Sequence, residues 1–299
     1  MIPFVRDFDP RPGEEVRLTP RASRVTAGNP GPFTFTGTNS FIVGGPGPGA
    51  GVAVIDPGPD DPRHLQALLE ALDGRRVVAV LLTHTHRDHA PLAHPLADAV
   101  GAPVLAAPSP ARETHASTPD EEETAGVRPD RVLCDGDLVE GDGWTLRTLA
   151  TPGHASNHLC FEMIEENALF SGDHVMGWST TVVAPPDGDM TAYMTSLDKV
   201  IGRRFGRLFP AHGGQIDDPA PFLAAYRDHR LARDAQILAR LDAGDRTIAE
   251  MVPVLYADVD RRLWPAASLS VWAHLIALER AGRVTARPAP SPDALYAPA

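Results

Sequence analysis

Three histidines and an aspartate fall within six residues, directly behind an apolar run, in the segment LLTHTHRDHA (residues 81–90). In an extended segment, residues two apart project to the same side, so His84 and His86 can point at one ion. If the chain turns into a helix near Asp88, that residue and His89 can be directed to a second position beside the first. Imidazole nitrogen and carboxylate oxygen suit zinc and also iron or manganese. The segment therefore predicts a metal site.

Further ligands must come from elsewhere, and three other segments offer them. TPGHASNH places His154 after a turn, FSGDHV places Asp173 after a predicted strand, and FPAHGG places His212 after another. Small residues flank each of them and let the backbone turn sharply. In combination with the first four residues, these three complete a predicted two-metal site.

The elements around these segments alternate between strand-like and helical patterns. Residues 40–45 and 51–58 are predicted strands joined by a Gly/Pro loop. Residues 62–74 carry leucines at helical spacing and predict a helix that stops at Gly74. The run VVAVLLT predicts a strand that is covered on both faces and ends where the histidines begin. Because α/β folds place ligands at strand ends, we expect the site there.

The middle of the chain continues this alternation. Between Ala107 and Asp130 the sequence is polar, proline-containing and acidic, which predicts a long loop. From Val132 to Ser171 the pattern is rich in strands. Residues 189–202 predict a helix, and residues 207–214 a short strand that opens into a glycine-containing loop.

The character becomes mostly helical after Pro219. Helices are predicted in residues 219–244, 247–256 and 268–284, and a glycine-led extended tip follows, an arrangement that looks like a winged helix. The sequence thus predicts two domains, a catalytic domain of residues 1–218 and a helical, winged-helix-like region of residues 219–299. A helical packing or dimerisation module is an equally open interpretation. Because its apolar positions need a covering surface, we expect this tail to pack on the catalytic domain and border the pocket or a dimer interface.

Composition limits the class of protein. With 299 residues and 43% hydrophobic residues, the chain can bury a sizeable core and is expected to be globular. Cys134 and Cys160 form no disulfide framework, which favours a reducing compartment. The amino terminus has charges and prolines where a secretory signal needs an apolar stretch, and no run of about 18 apolar residues appears. We predict a cytoplasmic protein without a membrane span.

The charge balance bears on partners. The formal net charge is −12, and Lys199 is the only lysine. An acidic surface weakens non-specific attraction to nucleic acid, although a local arginine patch remains compatible with it. The arginines of the tail that were considered for such a patch are few and scattered: Arg261, Arg262, Arg280, Arg283 and Arg287.

The pattern H-x-H-x-D-H, followed by separated His, Asp and His in this order, resembles the metallo-β-lactamase superfamily from about Thr38 to Gly214. The resemblance implies an α/β fold, a four-layer αβ/βα sandwich, with a small helical, winged-helix-like C-terminal appendage. The segments TPGHASNHLCF and FSGDHVMGWSTTVV, together with the tail, are most similar to the β-lactamase-like protein 2 group. Some members of that group are single-strand endoribonucleases.

The resemblance also implies roles for individual residues. It assigns His84, His86 and His154 to a first metal and Asp88, His89 and His212 to a second, with Asp173 bridging both. Asp56 and Thr83 match positions that orient the ligands. For His158 and His174, which fit no ligand position, we expect hydrogen-bonding or pocket-wall roles. Four hydroxyl residues are expected at the lip of the pocket: Ser171, Ser179, Thr180 and Thr181.

The function predicted from these residues is a dinuclear metal-dependent hydrolase. Two divalent ions, with zinc first and iron or manganese as alternatives, would lower the pKa of a shared water and generate a hydroxide nucleophile. Asp88 would accept or orient the water proton. The candidate substrates are an ester, a thioester, a lactone or an RNA phosphodiester, and glutathione thioesters remain open. The expected partner is a small molecule or a short single-stranded RNA, and a homodimer is possible.

Two rival functions come from other classes. Persulfide dioxygenases share much of this ligand pattern but use one iron, held by the equivalents of His84, His154 and Asp173. A regulatory nucleic-acid binder that uses the tail ranks last, because the metal ligands would then be idle.

Overall fold

The computed structural model describes residues 2–108 and 127–299. The first half builds a seven-stranded sheet in which each strand neighbours the next along the chain. Its first four strands pair antiparallel and the last four pair parallel. The strands are β1 (Glu15–Thr19), β2 (Ala22–Thr26), β3 (Asn39–Val43), β4 (Gly51–Ile55), β5 (Arg76–Leu81), β6 (Val104–Ala106) and β7 (Arg131–Val132).

A second sheet of five strands has the order β12-β11-β10-β9-β8. Its members are β8 (Leu138–Gly141), β9 (Trp144–Ala150), β10 (Leu159–Met163), β11 (Ala168–Gly172) and β12 (Arg207–Pro210). The last two strands pair parallel, so helix α3 (Met190–Arg203) crosses between them.

The two sheets pack face to face, and helices cover both outer faces. Phe41 and Leu81 of the first sheet share a buried cluster with Phe161 and Phe170 of the second. Helices α1 (Pro62–Leu72) and α2 (Ala93–Val100) cover the outer face of the first sheet, and α3 covers that of the second. These four layers confirm the predicted αβ/βα sandwich.

The tail forms a small unit on this sandwich. Helices α4 (Pro219–Asp242), α5 (Ile248–Leu255) and α6 (Trp264–Arg280) share a core with the hairpin of β13 (Val284–Arg287) and β14 (Leu295–Pro298). Tyr226 of α4 and Ala273 of α6 belong to the same buried cluster as Tyr193 of α3. The tail therefore packs on the sandwich, as its apolar positions require. The predicted boundary after residue 218 stays a prediction.

Some element bounds differ from expectation. Helix α6 begins at Trp264 and not at residue 268, because a 3-10 turn over Arg261–Leu263 leads into it and Pro265 suits the first turn of a helix. Strands β1 and β2 and helix α2 were not predicted. The central part of the predicted loop 107–130, residues 109–126, lies outside the described residues. No helix among residues 2–108 and 127–299 is long and apolar enough to span a membrane.

One buried histidine links the fold to pH. His64 of α1 is 3% exposed, and its Nε2 lies 2.9 Å from the Ser40 hydroxyl. Burial lowers the pKa of His64 to about 4 from 6.5. Since the unfolded chain takes up this proton below pH 6.5 and the folded chain does not, the histidine makes the free energy of unfolding fall as the pH falls from 6.5 to 4. The shift corresponds to about 3 kcal/mol.

Denaturant unfolding at a series of pH values measures this effect. In that window we expect a His64→Gln variant to lose less stability on acidification than the original chain does. The same pH slope for both proteins would show that His64 contributes nothing to acid sensitivity.

Candidate metal centre

The seven candidate ligands all lie at one edge of the two sheets. The chain leaves β5 at Leu81 and reaches His84 and His86 before a turn in which the amides of His89 and Ala90 donate to the carbonyl of His86. This is a turn and not the start of a helix, because α2 begins only at Ala93. Asp173 follows β11 directly, and His212 follows β12. A backbone hydrogen bond from Asn39 to Ala211 joins the two sheets at this edge.

Three histidines form a first group. The Nδ1 atom of His86 lies 3.0 Å from Nε2 of His84 and 3.1 Å from Nε2 of His154. All three side chains are buried. Two ligands of a tetrahedral zinc ion are separated by roughly 3.3 Å when each bond is about 2.05 Å long. The spacing of these nitrogens is therefore close to that of ligands around one small cation.

Asp88, His89 and His212 form a second group beside the first. The Oδ2 atom of Asp88 lies 3.1 Å from Nε2 of His212 and 3.3 Å from Nε2 of His89. The hydroxyl of Thr38 donates to the same carboxylate oxygen at 3.3 Å.

Asp173 lies between the two groups. Its Oδ1 atom is 3.3 Å from Nε2 of His212 and 3.6 Å from Nε2 of His89, while Oδ2 is 3.6 Å from Nε2 of His154. One carboxylate oxygen thus faces each group. This position fits a carboxylate that neighbours two cations.

Hydrogen bonds behind the rings fix which nitrogen faces the centre. His154 donates from Nδ1 to the carbonyl of Val182 at 2.7 Å, and His89 donates from Nδ1 to Asp56 at 3.0 Å. The Thr83 hydroxyl donates to Asp56, so its oxygen accepts from Nδ1 of His84 at 3.0 Å. In its neutral form each of these three rings has an Nε2 lone pair directed inward, which is the tautomer that metal binding needs.

Two atoms give the sharpest test of whether a metal fits. Nε2 of His89 and Oδ1 of Asp173 are buried and have no hydrogen-bond partner among the described residues. An unsatisfied buried polar atom destabilises the fold by about 1–3 kcal/mol, so such atoms require an explanation. A divalent cation bonded to both would satisfy them, and the nitrogen and oxygen donors suit zinc, iron or manganese. The residues present therefore fit the implied metals.

The electrostatics separate the two groups. Burial and the neighbouring His154 lower the pKa of His86 to about 3, and burial also lowers the pKa of His84, so both rings stay neutral. Burial opposes protonation of His212 as well, but Asp173 and Asp88 raise its pKa to about 10. Burial raises the pKa values of these two carboxyl groups, but the neighbouring histidines lower them by more, so both are ionised. The two carboxylates therefore attract positive charge to this centre.

Asp56 organises the residues behind the centre. Its Oδ1 accepts from the Thr83 amide at 2.7 Å, and its Oδ2 from the Thr83 hydroxyl at 2.7 Å and from His89. Because this carboxylate orients two candidate ligands, we expect Asp56→Ala to weaken metal binding by about 10- to 100-fold. Competition with a chelator measures the affinity. The exposed Asp60 supplies the matched control, and equal affinities for Asp56→Ala and Asp60→Ala would refute this role.

Close backbone approach at Gly172 places Asp173. This glycine has a φ of 50°, and a Cβ atom there would lie 2.7 Å from Nε2 of His158. His158 accepts the amide hydrogen of Asp173 at Nε2, so its Nδ1 donates to the Thr151 hydroxyl at 2.9 Å. The hydrogen-bonding interpretation therefore fits His158.

Two expectations for neighbouring residues were wrong. His174 is fully buried against Tyr193, neither ring nitrogen has a well-formed hydrogen bond among the described residues, and only a weak contact with the Ser196 backbone acts on its ring. Ser171 is not at the lip of the pocket, because it belongs to β11 and its buried hydroxyl donates to the Val175 carbonyl. Alternation along β11 directs Phe170 between the two sheets and places Ser171, like Leu169, on the face covered by α3.

The centre opens into a small pocket with a cavity volume of about 50 Å³. Five of the seven candidate ligands form its polar base. Its walls are mostly apolar and consist of Pro32, Phe33, Met176, Trp178, Ser179, Thr180 and Val182. Helix α4 holds one of these walls, because the Tyr226 hydroxyl donates to the Ser179 carbonyl at 2.7 Å and accepts from the Thr181 amide at 2.9 Å. The tail thus shapes the pocket although it supplies no candidate ligand.

Comparison with known families decides the classification. A sequence model of the metallo-beta-lactamase superfamily matches residues 33–212, which include all seven candidate ligands. The chain belongs to the metallo-beta-lactamase superfamily. A second model, for the beta-lactamase associated winged helix domain, matches residues 247–289 and confirms the winged-helix interpretation of this superfamily member's tail. By class the chain is a metallo-beta-lactamase superfamily hydrolase whose histidine and aspartate cluster can hold divalent metals.

Individual relatives support the same classification of this metallo-beta-lactamase superfamily chain. An atrochrysone carboxyl ACP thioesterase from Aspergillus chevalieri is 34% identical over 255 residues, or 81% of this chain and 75% of the relative. A beta-lactamase-like protein 2 homolog from Drosophila melanogaster is 30% identical over 278 residues, or 90% and 91% of the two chains. The crystal structure of a beta-lactamase domain protein from Burkholderia ambifaria, 22% identical, matches with a TM-score of 0.83 over 100% of this chain and 97% of that one. The predicted group and fold are thereby confirmed.

Proposed function

We propose that this protein hydrolyses an acyl thioester with two divalent metal ions, zinc before iron or manganese. The observation that carries the proposal is the convergence of seven side chains on one centre, five of them at the base of one pocket, with buried donor atoms left unpartnered. The proposed ligands of the first ion are His84, His86 and His154, those of the second are Asp88, His89 and His212, and Asp173 contacts both.

Two ions bound there would supply a water of lowered pKa and positive charge for the developing oxyanion. The protein's own residues do the rest. Asp88 borders the pocket and its carboxylate is ionised at neutral pH, since its pKa is lowered despite burial. This carboxylate can therefore take a proton from the attacking water. His154 stays fixed by its bond to Val182, which keeps its Nε2 directed at the centre.

The pocket wall favours a small acyl group. Phe35 stacks on Trp178 with ring centroids 4.8 Å apart, and Phe33 and Val182 border the same space. Apolar walls exclude water and suit an acyl chain better than a ribose or a phosphate. Relatives in two Aspergillus species carry the name of an ACP thioesterase, which supports a thioester among the four candidate bonds.

The second group of donors supports two ions over one. A dioxygenase with a single iron would engage His84, His154 and Asp173 and leave Asp88 and His212 without a metal. The carboxylate of Asp88 and the ring of His212 nevertheless face each other at 3.1 Å inside the protein. Hydrolysis with two ions gives these residues a function.

The charges of the tail support a small substrate over RNA. Arg262 pairs with Asp260 and Arg280 with Asp189, so part of the positive charge considered for RNA contact is already offset. We expect weak RNA binding that falls steeply with added salt. A sub-micromolar RNA affinity near physiological salt, lost when Arg261, Arg262 and Arg280 are replaced by alanine, would favour the endoribonuclease function over thioester hydrolysis.

A substrate panel tests the proposal. The purified protein, supplied with zinc, iron or manganese, is offered S-acyl pantetheines, simple esters, lactones, a cephalosporin and single-stranded RNA. We expect the largest kcat/KM for a thioester and loss of that activity after chelation. RNA cleavage with no turnover of any thioester would overturn the proposal.

A further inference from the structure

A second cavity adjoins the pocket and reaches the tail. It has a volume of about 410 Å³ and shares Phe33, Trp178 and Val182 with the first pocket. Its far side consists of α4, α6 and the segment that follows α5, including Tyr256 and Val259. We call this cavity the tail groove. A substrate with its reactive group at the metal centre has room to extend into it.

Basic side chains line the tail groove on the α4 side. Arg230 and Arg233 are both present there, and neither forms an ion pair with a carboxylate in the described part of the chain. Arg230 is 2% exposed, and it donates from Nη2 to the Thr181 carbonyl. Arg233 donates to the Leu255 carbonyl at 2.8 Å and lies over the Tyr256 ring. Both guanidinium groups therefore keep an uncompensated positive charge.

Polar atoms in the same wall lack partners. Nε of Arg230, Nε of Arg233, Nδ1 of His229 and Nε2 of His274 are all buried without a hydrogen bond. Four unsatisfied nitrogens at one wall exceed what an ordinary packed interface leaves. The two arginine nitrogens can only donate, so the partner that these two lack must accept hydrogen bonds.

Nearby acids do not fill that role. Asp234 bonds Nδ1 of His274 at 2.7 Å and forms no ion pair with Arg230 or Arg233 among the described residues. Asp258 borders the tail groove, yet it makes no ion pair with Arg230 or Arg233 in the described residues. Arg227, one turn before Arg230, is different, because it is bound to Asp198 of α3 and lies outside the tail groove.

We propose that the tail groove binds an anionic oxygen group of the substrate, a phosphate or a carboxylate, through Arg230 and Arg233. This inference rests on the proposed function in one respect, namely that the molecule bound by its anionic group also carries the thioester. A buried guanidinium binds such groups through charge-assisted, bidentate hydrogen bonds. Arg230 also contacts Thr181, whose hydroxyl donates to the Asp173 carbonyl at 2.7 Å, so an anion held there is adjacent to the metal centre.

Equilibrium binding to the metal-free, full-length protein tests the inference without any turnover. Paired ligands separate the two sources of negative charge: 4′-phosphopantetheine against pantetheine, and glutarate against glutaramide. We expect at least one anionic member to bind about 10-fold more tightly than its neutral partner. Arg233→Gln should abolish that preference, and Arg233→Lys should restore part of it. Arg227→Gln, which removes the same charge from the same helix, should leave the preference unchanged.

Three outcomes would overturn the inference. Equal binding of charged and neutral partners in both pairs excludes an anion site, and an equal loss in Arg227→Gln attributes the preference to net charge alone. An RNA oligonucleotide that binds more tightly than either small anion and depends on Arg233 assigns the tail groove to nucleic acid. Turnover of S-acetyl pantetheine distinguishes the two claims, because its absence counts against thioester hydrolysis whatever the binding pattern is.

Discussion

Replacing Asp173 with alanine is expected to lower the bound metal below two ions per chain and to reduce the rate of thioester hydrolysis by more than about 100-fold. Loss of a residue that only hydrogen-bonds to the metal ligands typically reduces activity by about 10- to 100-fold. Among the described residues, Asp173 is the one that directs an oxygen at each of the two donor groups. Without that shared anion, two neighbouring cations repel each other with nothing between them to offset the repulsion. Both ions should therefore bind more weakly.

Elemental analysis and steady-state kinetics on the same preparations measure this effect. Asp198→Ala is the matched control, since it removes an exposed carboxylate that pairs with Arg227 on the far side of α3. It should retain full metal and full rate. Normal metal content together with a normal rate in Asp173→Ala would remove the bridging role.

Asp88→Asn is expected to lower kcat by about 100- to 10,000-fold, the range typical of a lost general base. The amide keeps an oxygen that can contact the second ion, but it cannot accept a proton. Because the carboxylate of Asp88 is ionised at neutral pH, the original chain has this base available and the variant does not. KM should change little, since Asp88 occupies only the base of the pocket.

Kinetics at saturating metal separate this loss from poorer metal binding. Asp60→Asn, at an exposed position of the loop before α1, controls for the lost charge. A kcat within a few-fold of the original value at full metal occupancy would exclude Asp88 as the proton acceptor.

The sequence predicts the centre better than its surroundings. Four of the donor residues are clustered behind the run that forms β5, and glycines lie directly before Asp173 and directly after His212. These signals are local in the sequence, so they can be recognised without knowledge of the tertiary fold. Strands β1 and β2 and helix α2 escaped prediction because their sequences, EVRLT, ASRVT and AHPLADAV, are only 5 to 8 residues long, and such short elements are specified largely by their packing partners.

The tail groove shows what local patterns miss. The arginines singled out in the sequence lie near the ends of the tail helices and in the hairpin, whereas the structure directs attention to Arg230 and Arg233 in the middle of α4. A signal was present, since Tyr226, Arg230 and Arg233 recur at helical spacing and share one face. The burial of Arg230 against the loop at Thr181, and the lack of carboxylate partners for both arginines within the described residues, depend on contacts between distant segments. Periodicity alone cannot supply that information.

Stepwise metal titration of the metal-free protein, with thioester hydrolysis recorded at each step, tests the central claim most directly. We predict that the protein binds two divalent ions per chain and that hydrolysis reaches its maximum only when the second has bound. Binding of a single iron ion, with oxygen consumption and no thioester hydrolysis at any metal ratio, would contradict the two-ion hydrolase.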